Sequence, residues 1–156
     1  MMASSKQFVR LDELMPIIRE CLDSGQTVSF SPRGVSMLPM LRQGIDTVEL
    51  AEIRGRLKKY DIPLYQRETG QYVLHRIVKV GETYTCIGDN QFLLEPNLRQ
   101  EQMIAVVTAF TRDGKRIEVS NTGYQLYCRF WHYSRPIRRV WRKIRSLLGR
   151  IKRSLF

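Results

Sequence analysis

Three observations predict a mainly β fold, a small barrel or sandwich-like domain with a helix at each end. Short β-type runs separated by turn signals fill residues 27–120. Before them, apolar residues recur at helical spacing. After residue 136 they do so again, now surrounded by arginine and lysine. The 156 residues, 43% apolar and 26% charged, suit one globular domain and are too few for two.

The N-terminal helix is expected over residues 10–23, where Leu11, Leu14, Met15, Ile18 and Leu22 share one face. Pro16 falls inside it and weakens it, and Gly25 ends it. Strands are expected at 27–30, 47–50, 62–66, 72–80, 83–87, 104–111 and 116–119. Turn chemistry between them includes Glu68-Thr69-Gly70, Gly81-Glu82 and Asp113-Gly114. Asn121-Thr122-Gly123 reads as a hinge, dividing the chain into a helical lead-in (1–26), a β domain (27–120) and a basic tail (121–156).

Charge follows the same division. The net charge is +11, yet the last acidic residue is Glu118, and residues 124–156 hold ten Lys/Arg and no carboxylate side chain. Residues 1–123 carry sixteen basic and fifteen acidic groups, so the globule is nearly neutral. Cys21, Cys86 and Cys128 are odd in number and widely spaced, which excludes a disulfide framework and a zinc site and fits a reducing, cytoplasmic setting. With only His75 and His132, a histidine-rich metal centre is excluded, and no metal or other cofactor is expected. No run is long and apolar enough for a transmembrane anchor, and the acidic residues near the N-terminus do not read as a secretory signal.

Three local patterns carry chemistry. In Gly34-Val35-Ser36-Met37-Leu38-Pro39, a glycine frees the backbone before a serine and a proline fixes it afterwards. A nucleophilic serine needs a rigid, exposed turn with backbone N–H groups to receive an oxyanion, although a structural turn reads the same way. Val73-Leu74-His75-Arg76-Ile77 sets a histidine in an apolar β run. It is either a satisfied core histidine or a base near neutral pH. Gly88-Asp89-Asn90 is a turn at a strand end, followed by Glu95-Pro96, and a carboxylate there can orient an imidazole.

Together, and in this order, these motifs resemble the type I signal peptidases and the related self-cleaving SOS repressors. Ser36-Met37-Leu38-Pro39 matches their Ser-Met-x-Pro box. His75-Arg76-Ile77 and Gly88-Asp89-Asn90 match the branch that uses histidine, found in archaeal, endoplasmic-reticulum and sporulation-type enzymes. Tyr60-Asp61-Ile62-Pro63-Leu64-Tyr65 is similar to the family's Gly-Asp-Ile-Val-x-Tyr strand entry. The resemblance covers residues 28–110 and implies a coiled β-barrel catalytic domain. It also implies Ser36 as nucleophile, His75 as general base, and Glu95 or Asp89 as the residue that orients the histidine. Backbone N–H groups, including those of Gly34 and Ser36, are implied for the oxyanion.

Three departures accompany it. Gly34 stands where many relatives carry an oxyanion-hole serine, Met40 replaces the usual threonine, and Gly44-Ile45-Asp46 adds a residue to a common Gly-Asp. A counterpart of the signal peptidases' membrane anchor is not expected from these residues. No lysine is placed for a Ser-Lys mechanism, and the residues before the β domain are too few for a repressor's helix-turn-helix unit.

In the tail, Ile137, Val140, Trp141, Ile144, Leu147, Leu148, Ile151 and Leu155 fall in a stripe about 120° wide on a helix. Arg138, Arg139, Arg142, Lys143, Arg145, Arg150, Lys152 and Arg153 fill the rest, with Pro136 at the start. Eight cations forbid spanning a bilayer, so the helix is expected to lie on an anionic membrane surface. Trp131 and Trp141, with Arg138, Arg139, Arg142 and Lys143, are the expected lipid contacts. Packing on the β domain is the alternative, and nucleic acid is the less favoured partner because no recognised binding fold accompanies the charge. The function expected is a serine endopeptidase that cleaves a leader or precursor peptide, peripheral on the inner face of the cell membrane. The alternative is a non-catalytic adaptor on the same fold.

Overall fold

The structure, a computed structural model, describes residues 11–154, with side chains described through residue 148. Residue 10 of the expected first helix, Leu155, and the side chains of Arg150, Ile151, Lys152 and Arg153 lie outside the described residues.

Helix α1 (Leu11–Asp23) forms with Pro16 inside it. Its face of Met15, Ile18 and Leu22 is buried, so core packing outweighs the proline's lost hydrogen bond. Gly25, at φ +72°, ends the helix and lets the Gln26 N–H reach back to the Cys21 carbonyl.

Nine strands follow among the described residues: β1 (Val28–Phe30), β2 (Thr47–Ala51), β3 (Pro63–Gln66), β4 (Tyr72–Leu74), β5 (Arg76–Val80), β6 (Tyr84–Ile87), β7 (Glu95–Leu98), β8 (Met103–Arg112) and β9 (Lys115–Glu118). They make two antiparallel sheets, one in the order β1-β2-β8-β3-β4 with β9 added beside β8, the other in the order β5-β6-β7. Helices α2 (Thr122–Tyr133) and α3 (Arg135–Ser154) close the chain.

The mainly β barrel expected from the sequence is therefore corrected to a mixed fold, about 30% helix and 30% strand, without a closed barrel. Edge strands β1 and β4 do not pair with each other. Met15, Ile18 and Leu22 of α1 and Tyr124 and Cys128 of α2 join Met37, Met40, Leu50, Leu64 and Phe110 in one core. A second core, around Tyr65, Ile77, Tyr84 and Cys86, lies at the smaller sheet.

The expected strand 72–80 is two strands broken at His75. Leu74 pairs with Leu64 in the large sheet, whereas Arg76 pairs with Ile87 in the small one. Residues 73–78 are all buried, so this run lacks the alternation of a strand with one wet face. The expected hinge at 121–123 is a helix start instead. The Asn121 side chain accepts the Tyr124 N–H and caps α2, whose Tyr124 and Cys128 are buried.

Candidate active site

The Ser36 turn follows β1 and is held from both ends. Beyond it, Asp46 is fully buried and accepts hydrogen bonds from the Arg42 backbone N–H (2.8 Å), Nε and Nη2. Burial works against that carboxylate's charge, but the bonds from Arg42 hold its pKa below the ordinary value. Gly44-Ile45-Asp46 thus closes a braced turn.

On the other side lies the Gly-Asp-Asn loop. The Asn90 N–H donates to the Ser36 carbonyl at 2.8 Å, and its side-chain amide donates to the Val35 carbonyl at 3.1 Å. A Cβ on Gly88 would stand 2.7 Å from the Ser36 carbonyl oxygen, inside any real contact distance, so only glycine lets the two loops approach. Gly88→Ala should push the Ser36 turn away and cost roughly 1–3 kcal/mol of stability by overpacking. Urea denaturation checks the loss, and an unchanged midpoint would show that the loops part without cost.

His75 sits at the crossing between the sheets, 2% exposed. Its Nδ1 lies 3.1 Å from Glu95 Oε1 and 3.3 Å from the Tyr65 hydroxyl. Glu95 comes from β7. Its carboxylate accepts the Tyr65 hydroxyl at 2.9 Å and both Nε and Nη2 of Arg67. Burial raises the Glu95 pKa, but Arg67 and Tyr65 outweigh it and keep the carboxyl below its ordinary range. For His75, burial is the largest influence and lowers the pKa. Glu95 pulls the other way without reversing it, so the ring is neutral at pH 7.

Asp89 is placed elsewhere. It faces Arg76, both side chains 2% exposed, in a bidentate pair of 2.8 and 2.7 Å. Burial opposes the Arg76 charge, yet the Asp89 carboxylate holds its pKa well above the ordinary value. The rest of the guanidinium donates to the Tyr60 carbonyl, the Tyr124 hydroxyl, the Cys128 sulfur and the Met40 sulfur. Met40, unexpected after the proline, therefore has a polar partner, and Arg76 ties the segment just after the Ser36 turn to α2. Tyr60 holds φ +80°, which a glycine adopts without strain, and its ring packs edge-on against His132 of α2.

Ser36, half-buried, and His75 line one cavity of about 820 Å³. Among the described residues no hydrogen bond joins the two side chains. Leu11 and Leu14 of α1, with Phe30, Val35 and Ile45, give the cavity apolar walls, and Arg67 lies at its polar side. Of the two backbone donors expected at the oxyanion, the Gly34 N–H is taken by the Gln43 side chain at 2.9 Å. The Ser36 N–H has no partner among the described residues.

The residues expected at a lipid surface divide into two groups. Trp131 donates from Nε1 to the Asp89 carbonyl at 2.9 Å, and Arg138 covers its ring at 3.6 Å. Arg142 lies over the Phe92 ring. Trp141, Arg139 and Lys143 are exposed. Helix α2 and Arg67 were not singled out from the sequence, and Asn90 and Tyr65 stood there only as members of motifs, without a role of their own. The spacing of Tyr124, Tyr127, Cys128 and Trp131 signals α2, but nothing local marks the others.

No helix among the described residues is long and apolar enough to cross a membrane. Scanned against protein-family models, curated proteins and solved structures, the chain matches none.

Proposed function

We propose that this chain is a serine endopeptidase of signal-peptidase type, in which Ser36, His75 and Glu95 act together on a leader or precursor peptide. The observation that carries the reading is the placement of a buried histidine, its Nδ1 3.1 Å from the Glu95 carboxylate, in the same cavity as a turn-borne serine. With Nδ1–H directed at Glu95, the lone pair is left on Nε2, the nitrogen able to take the Ser36 proton. The hydroxyl oxygen then attacks the peptide carbonyl, and the carbonyl electrons move onto oxygen near the Ser36 N–H. His75 passes its proton to the leaving amine. A water deprotonated by His75 releases the acyl group from Ser36. Tyr65 and Arg67 fix the Glu95 carboxylate, while Asp89 serves the architecture through Arg76.

The two sheets stand on this reading for the superfamily's coiled β domain. On this reading the enzyme works peripherally on the inner face of the cell membrane, which the charge of the basic tail supports, and its substrate is a precursor made inside the cell.

A fluorophosphonate, which phosphonylates an activated serine with loss of fluoride, tests the assignment. It should label the wild type and not Ser36→Ala, with the site read by peptide mass spectrometry. The base must be neutral, and the His75 pKa is lowered. The labelling rate should therefore hold steady down to about pH 6.5, the ordinary imidazole value, and fall only below it. Equal labelling of Ser36→Ala would overturn the assignment.

A further inference from the structure

Helix α3 presents two different faces. Ile137, Val140, Trp141, Ile144, Leu147 and Leu148 form a stripe in which every side chain is at least 44% exposed. About 140° around the axis, Arg138 and Arg142 form a second face four residues apart. This face is seated on the loop that carries Asp89, Asn90 and Phe92. Arg138 donates to the Asp89 carbonyl at 3.3 Å and to the Trp131 carbonyl at 2.7 Å, and Arg142 stacks on Phe92 at 4.2 Å. The next residue along that loop, Asn90, donates to the Ser36 carbonyl. The apolar stripe and the nucleophile turn are thus joined through two arginines and one loop.

Charge identifies what covers the stripe. The segment 124–156 has ten basic residues and no acidic one. Arg135 with Arg139, Arg138 with Arg142, and Arg139 with Lys143 are like-charge pairs at i, i+4, which oppose the helix in water. A second copy of α3 would bring a further set of positive charges against the first. Nucleic acid would neutralise the cations and leave six large apolar side chains wet. An anionic bilayer surface satisfies both, since its headgroups meet the cations and its acyl boundary takes the apolar face.

We propose that α3 docks on an anionic bilayer and that docking steadies the loop that holds the Ser36 turn, so that the site is tightened at the membrane. Arg138 and Arg142 reach the loop together only when that stretch is helical. A bilayer that favours the helix therefore favours the seat, and the two faces do not compete for it. The effect on peptide cleavage rests on the peptidase reading. The docking and the loop response do not, and both are measured without activity.

The full chain is incubated with phosphatidylglycerol/phosphatidylcholine vesicles and with pure phosphatidylcholine vesicles. Binding is read by co-sedimentation, and amide hydrogen exchange is followed over residues 88–92. The wild type should sediment with anionic vesicles only, with exchange in that loop slowed about tenfold or more. Trp141→Glu/Leu148→Glu, whose side chains are exposed and leave the fold intact, should lose binding by at least about tenfold. Arg142→Ala should still bind while losing the slowed exchange. Equal binding to neutral vesicles, or anionic-vesicle binding that survives the double substitution, overturns the docking. So does an RNA oligonucleotide that the double variant binds as tightly as the wild type and that displaces vesicles from the wild type. Vesicle binding that leaves exchange at 88–92 unchanged overturns the coupling. Loss of fluorophosphonate labelling with these responses intact would instead strike the peptidase reading alone.

Discussion

On the peptidase reading, Ser36→Ala and His75→Gln should each reduce cleavage of a mixed fluorogenic peptide library to background, while both proteins stay folded. The serine is half-buried in a turn held by Asn90 at the backbone and by Arg42 and Asp46 beyond it, so its hydroxyl is not needed for the fold. Removing a nucleophile or its base typically costs on the order of 10⁶ in kcat, because the groups act as a unit. Glutamine is chosen at position 75 because alanine would leave a hole in a site only 2% exposed and strip Glu95 and Tyr65 of a neighbour. Glu95→Gln separates orientation from chemistry. An amide N–H facing Nδ1 favours the wrong tautomer and puts the proton on Nε2, where the lone pair is needed. A loss of roughly 10⁴ is expected, as for an orienting carboxylate in other serine triads. Asp89→Asn, at the other candidate position, should act on stability first. Cleavage by Ser36→Ala at the wild-type rate would sink the peptidase reading and favour a binding role for the fold.

Which parts of this were legible in the sequence follows from the range of the interactions involved. Six of the seven β runs each match one strand to within a residue, because turn residues and β-type composition are local signals, whereas the run at 72–80 holds two strands that belong to different sheets. Strand β7 was not, because Glu-Pro-Asn-Leu has poor β propensity and Asn97 takes φ +61°. Only its pairing with β6 makes it a strand. That pairing places Glu95 opposite Cys86 and so carries the carboxylate toward His75, which no spacing rule along the chain reveals. Ser36 and His75 were legible as residue types in informative settings. Their sharing of one cavity depends on the chain changing sheets at position 75. The tail shows the same limit in reverse. Its periodicity gave α3 correctly, but pattern alone could not separate Trp141, which is exposed, from Trp131, whose indole is bonded to the Asp89 carbonyl.

Asp89→Ala should destabilise the protein by about 3–5 kcal/mol, the usual cost of removing one partner from a buried ion pair. Arg76 is left charged where 2% of its side chain is exposed, and among the described residues no other carboxylate hydrogen-bonds to it. The loss is larger than that of a surface pair because the guanidinium cannot shed its proton at any accessible pH, so the desolvation cost has no escape. Arg76 also joins the Tyr60 carbonyl, the Met40 sulfur and, on α2, Tyr124 and Cys128. Its displacement toward water therefore loosens α2 together with the sheet crossing that carries His75. For a chain of this size the expected fall in Tm is roughly 10 °C, at about 2–4 °C per kcal/mol. Arg76→Lys/Asp89 intact should fall between wild type and Asp89→Ala, since an ammonium keeps the charge pairing but not the bidentate fork or the bonds to α2. Arg76→Met/Asp89→Leu should recover most of the lost stability, because two apolar side chains carry no unpaired charge into the core. Differential scanning calorimetry on the four proteins measures this directly. If Asp89→Ala melts within about 1 °C of the wild type, corresponding to well under 1 kcal/mol, the pair is not the bond between the sheet crossing at His75 and α2.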